Sequence, residues 1–334
     1  MKMAGRDTSG NGGEPAAPSV MLAPLAGITD LPFRKLVHSF GADLVVSEMV
    51  ASHDLLNARP GAREKAELGF DQAATAVQLA GREPYWMAEA AKHAEAAGAR
   101  IIDINMGCPA KKVTGGLSGS ALLRDLDLAI SLVRAVVAAV GVPVTLKTRL
   151  GWDESSLNAA ELARRAEAEG ITRLTIHGRT RCQFYKGQAD WAAIKPIVDA
   201  VTVPVIANGD ITDLASARAA LAASGAAGIM VGRGAQGRPW LLNQLRAQLR
   251  GAPMPAAPTR AEMTKMVQGH YAEMIDFYGP KLGLRVARKH LGWYMDEIGA
   301  PKPARHAVLT ASDPGRVRAL LAQCFENAEH TVAA

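Results

Sequence analysis

Val142-Pro143-Val144-Thr145-Leu146-Lys147, the helical-period stretch Leu157 to Glu169, and Arg173-Leu174-Thr175-Ile176-His177 together make one strand–helix–strand unit. Both strands are apolar or β-branched until a basic side chain ends them, and the helix between them has the spacing of a one-sided apolar face. The same unit repeats outward in both directions. Eight strand-like runs are read at Val20–Ala23, Leu44–Ser47, Ala76–Leu79, Ile101–Ile104, Val144–Lys147, Leu174–His177, Val205–Ala207 and Ile229–Val231. Helical stretches fall between most of them, among them Pro84–Ala97, Asp125–Val140, Trp191–Ala200 and Asp213–Ser224.

Such alternation fits either a doubly wound sheet or an α/β barrel, and the placement of polar residues separates the two. In a (β/α)8 TIM barrel every strand ends on one face, and that face collects the residues that do chemistry. Here the strands run out at Gln78, Asn105, Lys147, His177, Asn208 and Gly232-Arg233. The barrel is therefore the expected fold. Gly251-Ala252-Pro253-Met254-Pro255-Ala256-Ala257-Pro258 breaks the pattern, because proline cannot continue a helix. Beyond it, Thr259–Tyr278, Leu282–Ile298 and Asp313–Glu326 read as amphipathic helices. The expected organisation is a flexible tail over residues 1–17, a barrel over 18–250, a linker over 251–258 and a small all-helical domain over 259–334.

Composition excludes several classes. The 334 residues are 49% hydrophobic and 21% charged, enough to bury a large core, and no run of eighteen apolar residues suggests a membrane span. The first residues do not pattern as a secretory signal. Cys108, Cys182 and Cys324 are odd in number and far apart, which argues against a disulfide framework and for a reducing, cytoplasmic setting. A net charge of +6 suits a polyanionic partner and is also ordinary for an enzyme.

Asn208-Gly209-Asp210 and Gly232-Arg233-Gly234 are glycine turns after the last two strands, where barrels place a phosphate cradle. The bland alternative is turn chemistry alone. Lys147 ends an apolar strand, so its ammonium points into the barrel mouth, either toward an anionic cofactor or toward a rim carboxylate. His177 arrives on the same rim ahead of a cationic turn that contains Arg179. No second histidine or carboxylate stands at ligand spacing from it, and no metal is expected. Cys108 lies in Met106-Gly107-Cys108-Pro109, a turn and not a helix, with Lys111 and Lys112 close behind. A thiol near its ordinary pKa of ~8.5 is protonated at neutral pH and can act as an acid, whereas adjacent cations favour a nucleophilic thiolate. The residues alone leave these roles open, beside that of a small buried hydrophobe. Lys281, Arg285, Arg288 and Lys289 line one helix face near Tyr278, His290, Trp293 and Tyr294. That stripe suits a phosphate backbone with stacked bases, or it is a solvated face.

Ala23-Pro24-Leu25-Ala26-Gly27-Ile28-Thr29-Asp30, Ser47-Glu48-Met49, Gln78-Leu79-Ala80-Gly81, Asp103-Ile104-Asn105-Met106-Gly107-Cys108-Pro109, Thr175-Ile176-His177-Gly178-Arg179-Thr180 and Asn208-Gly209-Asp210-Ile211, in this order, resemble the tRNA-dihydrouridine synthases. Ala110-Lys111-Lys112-Val113 and Arg285-Val286-Ala287-Arg288-Lys289-His290 look most like the B-type bacterial branch. The resemblance runs from about Met21 to Tyr294 and weakens after Ile298. It implies reduction of a uridine in the tRNA D-loop, with FMN as cofactor and NADPH as reductant. By position it implies that Pro24, Leu25, Ala26, Gln78, Lys147, Asn208, Gly209, Asp210, Gly232 and Arg233 hold FMN, with His177 beside it. Leu25 stands where methionine is frequent in the family, a volume-conserving exchange.

Cys108 is then the catalytic acid, since saturating the uracil 5,6 bond needs a hydride at C6 and a proton at C5. Asn105, Lys111, Lys112, Arg179, Arg285, Arg288 and Lys289 are the expected substrate contacts. The expected partner is tRNA, and the enzyme is expected to be monomeric. The alternatives are a flavin oxidoreductase acting on a small molecule, of the dihydropyrimidine or dihydroorotate dehydrogenase type, and an RNA-binding protein without catalysis. A basic helical segment has no use for a free base, and flavin absorbance in the purified protein argues against a purely binding role.

Overall fold

The strands are β1 (Ser19–Leu22), β2 (Leu44–Val46), β3 (Val50–Ala51), β4 (Thr75–Ala80), β5 (Ile102–Met106), β6 (Val144–Arg149), β7 (Arg173–His177), β8 (Val205–Asn208) and β9 (Gly228–Val231). The computed structural model describes residues 17–59, 61–69 and 74–327. Most of the expected tail (1–16) and the last seven positions of the expected helical domain (328–334) lie outside the described residues.

All pairings are parallel, and β1 bonds to both β2 and β9 while β2 bonds to β4, so eight strands close into a ring. These eight are the runs read from the sequence, within a few residues at each end. The two-residue β3 was not foreseen; it is an appendix of β4, registered Val50 to Leu79.

Strand periodicity sorts the side chains. On β5, β6 and β7, Ile102, Ile104, Val144, Leu146, Leu174 and Ile176 point outward and pack against the helices. The alternate residues point inward, and the interior has two characters. Met21, Ala23, Val46, Ala76, Ile206 and Met230 form an apolar cluster on the β1, β2, β4, β8 and β9 side. On the other side Asp103 accepts hydrogen bonds from Gln78 Nε2 at 2.7 Å and Thr145 Oγ1 at 2.5 Å. Burial pushes the Asp103 carboxyl pKa up, and these two bonds partly offset it. A polar network of this kind is tolerable inside a barrel only because its members satisfy one another.

The outer helices start and stop where local chemistry says. Asp125 caps the Leu126–Ala139 helix by accepting the Leu128 N–H at 3.0 Å, and Ala129, Leu132, Val133 and Val136 face the sheet. The helix expected over Trp191–Ala200 is a correction. It splits into a 3₁₀ turn, Ala192–Ile194, and a short helix, Lys195–Val198, because Pro196 has no N–H to continue one ladder through both.

Residues 252–259 form neither helix nor strand, and the C-terminal helices follow. The Arg260–Glu297 helix opens with a capping box between Thr259 and Glu262 and is broken at Gly279, whose φ of 73° and ψ of 164° leave the helical region. Positive φ suits glycine there, and Pro280 prevents the ladder from closing across it. The two arms correspond to the two helices read from the sequence. Lys302–Thr310 is a further helix not foreseen, and Pro314–Asn327 is the last among the described residues. Met263, Tyr271, Tyr294, Val308, Leu321 and Phe325 bury a second core that packs on Leu36 of the Leu31–Ser39 helix and on Phe40, which caps its C-terminal end. Among the described residues no helix is long and apolar enough to cross a membrane.

Candidate active site

The C-terminal ends of the strands surround a cavity of ≈ 990 Å³. Pro24, Leu25, Ala26, Gln78, Lys147, His177, Asn208, Gly209, Asp210, Gly232 and Arg233 all line it, as do Asn105 and Cys108. Residues drawn from distant positions thus meet because parallel strands end on one face.

Lys147 is held by a 2.9 Å bond from its Nζ to Asn208 Oδ1, and Asn208 Nδ2 donates to the Met230 carbonyl at 2.8 Å. Burial, and then Arg149, push the lysine pKa down to about 8, with Asp103 and Cys108 acting in the other direction. His177 lies well below the ordinary histidine range, first from burial and then from Lys147, Arg149, Arg179 and Arg233 around it. It is a neutral imidazole at neutral pH.

Cys108 stands just beyond β5, half-buried at the cavity wall. Its backbone is pinned at both ends. Asn105 Oδ1 accepts the N–H groups of Gly107 (3.1 Å) and Cys108 (3.0 Å), while Ser120 donates to the Cys108 carbonyl from its N–H (3.1 Å) and hydroxyl (2.8 Å). Asn105 is itself fixed by Nδ2 donating to Gln78 Oε1 at 2.8 Å, so the buried network inside the barrel carries through to the thiol. Gly119, at φ +60°, passes so close that a Cβ on it would lie 2.9 Å from the Cys108 oxygen and 3.2 Å from its Cβ. Only glycine fits that seat without displacing the cysteine.

One expected substrate contact is corrected. Arg179 is 1% exposed, and its guanidinium is committed elsewhere. It donates to Asp210 at 3.0 and 2.5 Å, to the Lys186 carbonyl at 3.1 Å and to the Gly187 carbonyl at 2.7 Å. Four of the five donors of the fork are used in this way, and the remaining Nη1 direction faces His177 Nε2 at 3.4 Å, so none is turned toward a substrate. Asp210 takes a further bond from Arg233 at 3.1 Å and one from the Ala189 N–H at 2.8 Å. Burial raises the Asp210 pKa, but the Arg179 bond, the Ala189 N–H and the charges of Arg179 and Arg233 together outweigh it and hold the carboxylate below its ordinary value. Its side chain therefore braces the rim.

Lys111 and Lys112 are exposed on the short Lys111–Thr114 helix directly after the cysteine turn, outside the cavity wall. Lys281, Arg285, Arg288 and Lys289 are exposed along the second arm of the broken helix, opposite the buried Gly283, Ala287 and Leu291. Lys289 reaches the loop after β1: a Cβ on Gly27 would lie 3.3 Å from its Nζ.

Arg149, Tyr185 and Trp191 also line the cavity and were missed. Arg149 had a signal, since it lies two residues after Lys147 on one strand and so shares its face. It donates to the carbonyls of Gly107 (2.8 Å), Thr180 (3.0 Å) and Phe184 (2.8 Å), and burial lowers its pKa to about 10. Tyr185, under the Arg149 and Arg233 guanidinium groups at 5.5 and 5.4 Å, comes from an irregular loop with no periodicity to mark it.

Comparison with known proteins accords with this site. The family described as dihydrouridine synthase (Dus) matches residues 21–330. A probable tRNA-dihydrouridine synthase of Rhodobacter capsulatus is 59% identical over 93% of this chain and 96% of its own. A tRNA-dihydrouridine synthase B of Pseudomonas putida is 48% identical over 83% of this chain and 82% of its own, which agrees with the B-type resemblance. Among solved structures, a morphinone reductase mutant in complex with tetrahydroNAD is 16% identical, with a TM-score of 0.50 over 73% of this chain and 89% of that one, a likeness of fold. Barrel, rim and sequence agree, and the chain belongs to the dihydrouridine synthase family.

Proposed function

We propose that this protein is a cytoplasmic, monomeric tRNA-dihydrouridine synthase that reduces the 5,6 double bond of a D-loop uridine, with FMN as cofactor and NADPH as reductant. The observation that carries the reading is the thiol of Cys108, braced by Asn105 and Ser120 on the wall of the cavity that also holds Lys147.

The cavity suits a flavin mononucleotide. Its volume lies at the upper end of the ~300–1,000 Å³ usual for ligand sites, leaving room for a base beside the cofactor. Gly232 offers the cradle: a Cβ there would project toward Leu25 and Ala23, at 3.6 and 3.7 Å, into space that glycine leaves open. Lys147, Gln78, Asn208, Gly209, Asp210, Gly232, Arg233, Pro24, Leu25 and Ala26 would hold the flavin, with His177 beside it. When bound and reduced, that group supplies the hydride added to pyrimidine C6.

Cys108 gives the balancing proton to C5, acting as a general acid from its own side of the ring. Asn105 positions the cysteine turn. The Lys147 ammonium stabilises negative charge on the cofactor, and neutral His177 adds a hydrogen bond without adding to the positive charge. A uridine in folded tRNA must leave its stack to reach a barrel mouth. Lys111, Lys112, Arg285, Arg288 and Lys289 are the cations placed to grip the backbone around it. Arg179 is not among them.

The test is direct. Purified protein should carry flavin absorbance and, with NADPH, should convert unmodified tRNA to dihydrouridine-containing tRNA while leaving free uracil and dihydroorotate unchanged. Charge reversal at Arg285 and Arg288 is expected to weaken tRNA binding by ~10-fold or more and to flatten its salt dependence, with flavin content unaltered. Unchanged binding would make the stripe a solvated face, and turnover of a free pyrimidine in place of tRNA would support the small-molecule alternative.

Lys147 also sets a pH dependence. Its pKa of about 8 lies below the ordinary 10.5, so the ammonium is charged below about pH 8 and neutral above it. Burying that charge opposes folding below about 8, and the cost fades as pH rises toward the ordinary value. Flavin affinity should move the other way, falling as pH rises through about 8 because the stabilising cation is lost. Fluorescence titration of the flavin should show this inflection in the native protein and a flat profile in Lys147→Met.

A further inference from the structure

Away from the barrel mouth, one group of side chains has chemistry that the proposed reaction does not use. Asp30, His270 and His290 are 1%, 3% and 1% exposed, and one ligand atom from each lies within 4.8 Å of the others. They come from three segments. Asp30 caps the Leu31–Ser39 helix just after the loop that lines the cavity, while His270 and His290 lie on opposite sides of the Gly279 break.

Their hydrogen bonding is incomplete in a consistent way. Asp30 Oδ1 accepts the Phe33 N–H at 3.0 Å, while Oδ2 has no partner at full hydrogen-bond geometry among the described residues; the Tyr278 phenol is the side-chain donor that approaches the carboxyl. His270 Nδ1 is 2.9 Å from the Tyr294 hydroxyl, which leaves Nε2 bare. Among the described residues neither His290 nitrogen has a partner at full hydrogen-bond geometry; one is turned to the Ile28 carbonyl, which raises its pKa against the effect of burial, and the other is bare. Packing covers the ring faces, with centroids of Phe33 and His270 at 4.8 and 4.9 Å from His290. It does not satisfy the nitrogens. Buried polar atoms without partners are rare in native proteins, and a cluster of them turned toward one another calls for an occupant.

We propose that Asp30, His270 and His290 bind a divalent first-row transition ion, best zinc, which ties the loop after β1 to both arms of the broken helix. Two imidazoles and one carboxylate are a donor set for such ions. Calcium and magnesium want six or more oxygens, which a single carboxylate cannot approach. Arg34 and Lys289 also stand near the group, so an ion held by charge alone would be repelled. The Tyr294 hydroxyl on His270 has the place of the outer partner that orients a ligating ring. Burial holds both imidazoles below the ordinary histidine range, in the neutral form that offers a lone pair. Around a four-coordinate ion with bonds of ~2.0–2.2 Å, ligand atoms stand ~3.4 Å apart, so the trio would draw in by no more than ~1.5 Å. Water or the Tyr278 phenol would complete the shell.

The expectation of no metal rested on spacing around His177. These ligands are scattered in sequence, and only the packing of the helical segment on the barrel brings them together. Flavin and tRNA play no part in the site, so its failure would leave the proposed reaction untouched.

The experiment uses untagged full-length protein, stripped with chelator, loaded with Zn²⁺ and dialysed, with Asp30→Asn and His290→Gln in parallel. Asparagine preserves the helix cap, so the first variant should fold whatever becomes of the second. About one zinc should be retained per chain, with an absorption-edge first shell of N/O donors at ~2.0 Å and imidazole outer-shell features. Zinc should raise the melting temperature by ~5 °C or more. Both variants should bind zinc at least ~10-fold more weakly and lose that rise. Zinc content near zero after dialysis, equal retention by Asp30→Asn, or retention without any change in melting would each overturn the site.

Discussion

Replacing Cys108 by alanine is expected to lower dihydrouridine formation by ~10²–10⁴-fold, the range that a positioned general acid supplies. Flavin content, tRNA affinity and the rate at which NADPH bleaches the flavin should stay close to those of the native protein. The expectation rests on how little else the thiol does. Its neighbours hold the backbone of residue 108 and not its side chain: Asn105 accepts the N–H and Ser120 donates to the carbonyl. Removing the sulfur therefore leaves the turn intact. Cys108→Ser should be slow as well, because a hydroxyl is a far weaker acid than a thiol. Asn105→Ala should mimic the defect in part, by freeing the turn while keeping the thiol. Product formation by Cys108→Ala at the native rate would remove the cysteine from the mechanism, whatever the fate of the other residues.

Arg179→Leu should destabilise the fold by about 3–5 kcal/mol, the cost of breaking a buried charge pair from one side. Arg179 is almost fully buried and bonds Asp210 with both terminal nitrogens, while it also satisfies two carbonyls of the loop after β7. The change strands all of these. Asp210 remains partly exposed and keeps Arg233 and the Ala189 N–H, which places the expected loss toward the lower end of that range. Lysine at 179 should restore little, because it cannot reproduce a planar fork of donors. Urea unfolding reads the effect, and a loss under about 1 kcal/mol would return Arg179 to the pool of residues free to meet a substrate.

Both expectations show where the sequence was legible. Cys108, Lys147, His177 and Asn208 could be read as site residues because each sits within a few residues of the end of a strand, and chain direction alone puts strand ends on one barrel face. Arg179 had the same credentials by position. Its role changed because Asp210, distant in sequence, leaves the neighbouring strand β8 beside it, two residues past the His177–Asn208 pair, and takes its donors. Tyr185 shows the reverse failure: a residue on an irregular loop carries no period, and only the folded loop swings its ring beneath Arg149 and Arg233. The broken helix was readable, since Gly279-Pro280 is a local instruction. The split at Pro196 was equally local and was passed over.

The alternation of apolar strands with one-sided helices, and the polar groups that end those strands, were determined by the sequence itself. They depend on backbone periodicity and steric preference, which act over a few residues and leave a pattern along the chain. Which cations stay free for a ligand, how Asn105 holds the cysteine turn, and how Asp30, His270 and His290 come to face one another were decided only by tertiary structure. Those properties depend on burial and on partners supplied from far along the chain, and neither is present until the barrel closes and the helical segment packs against it.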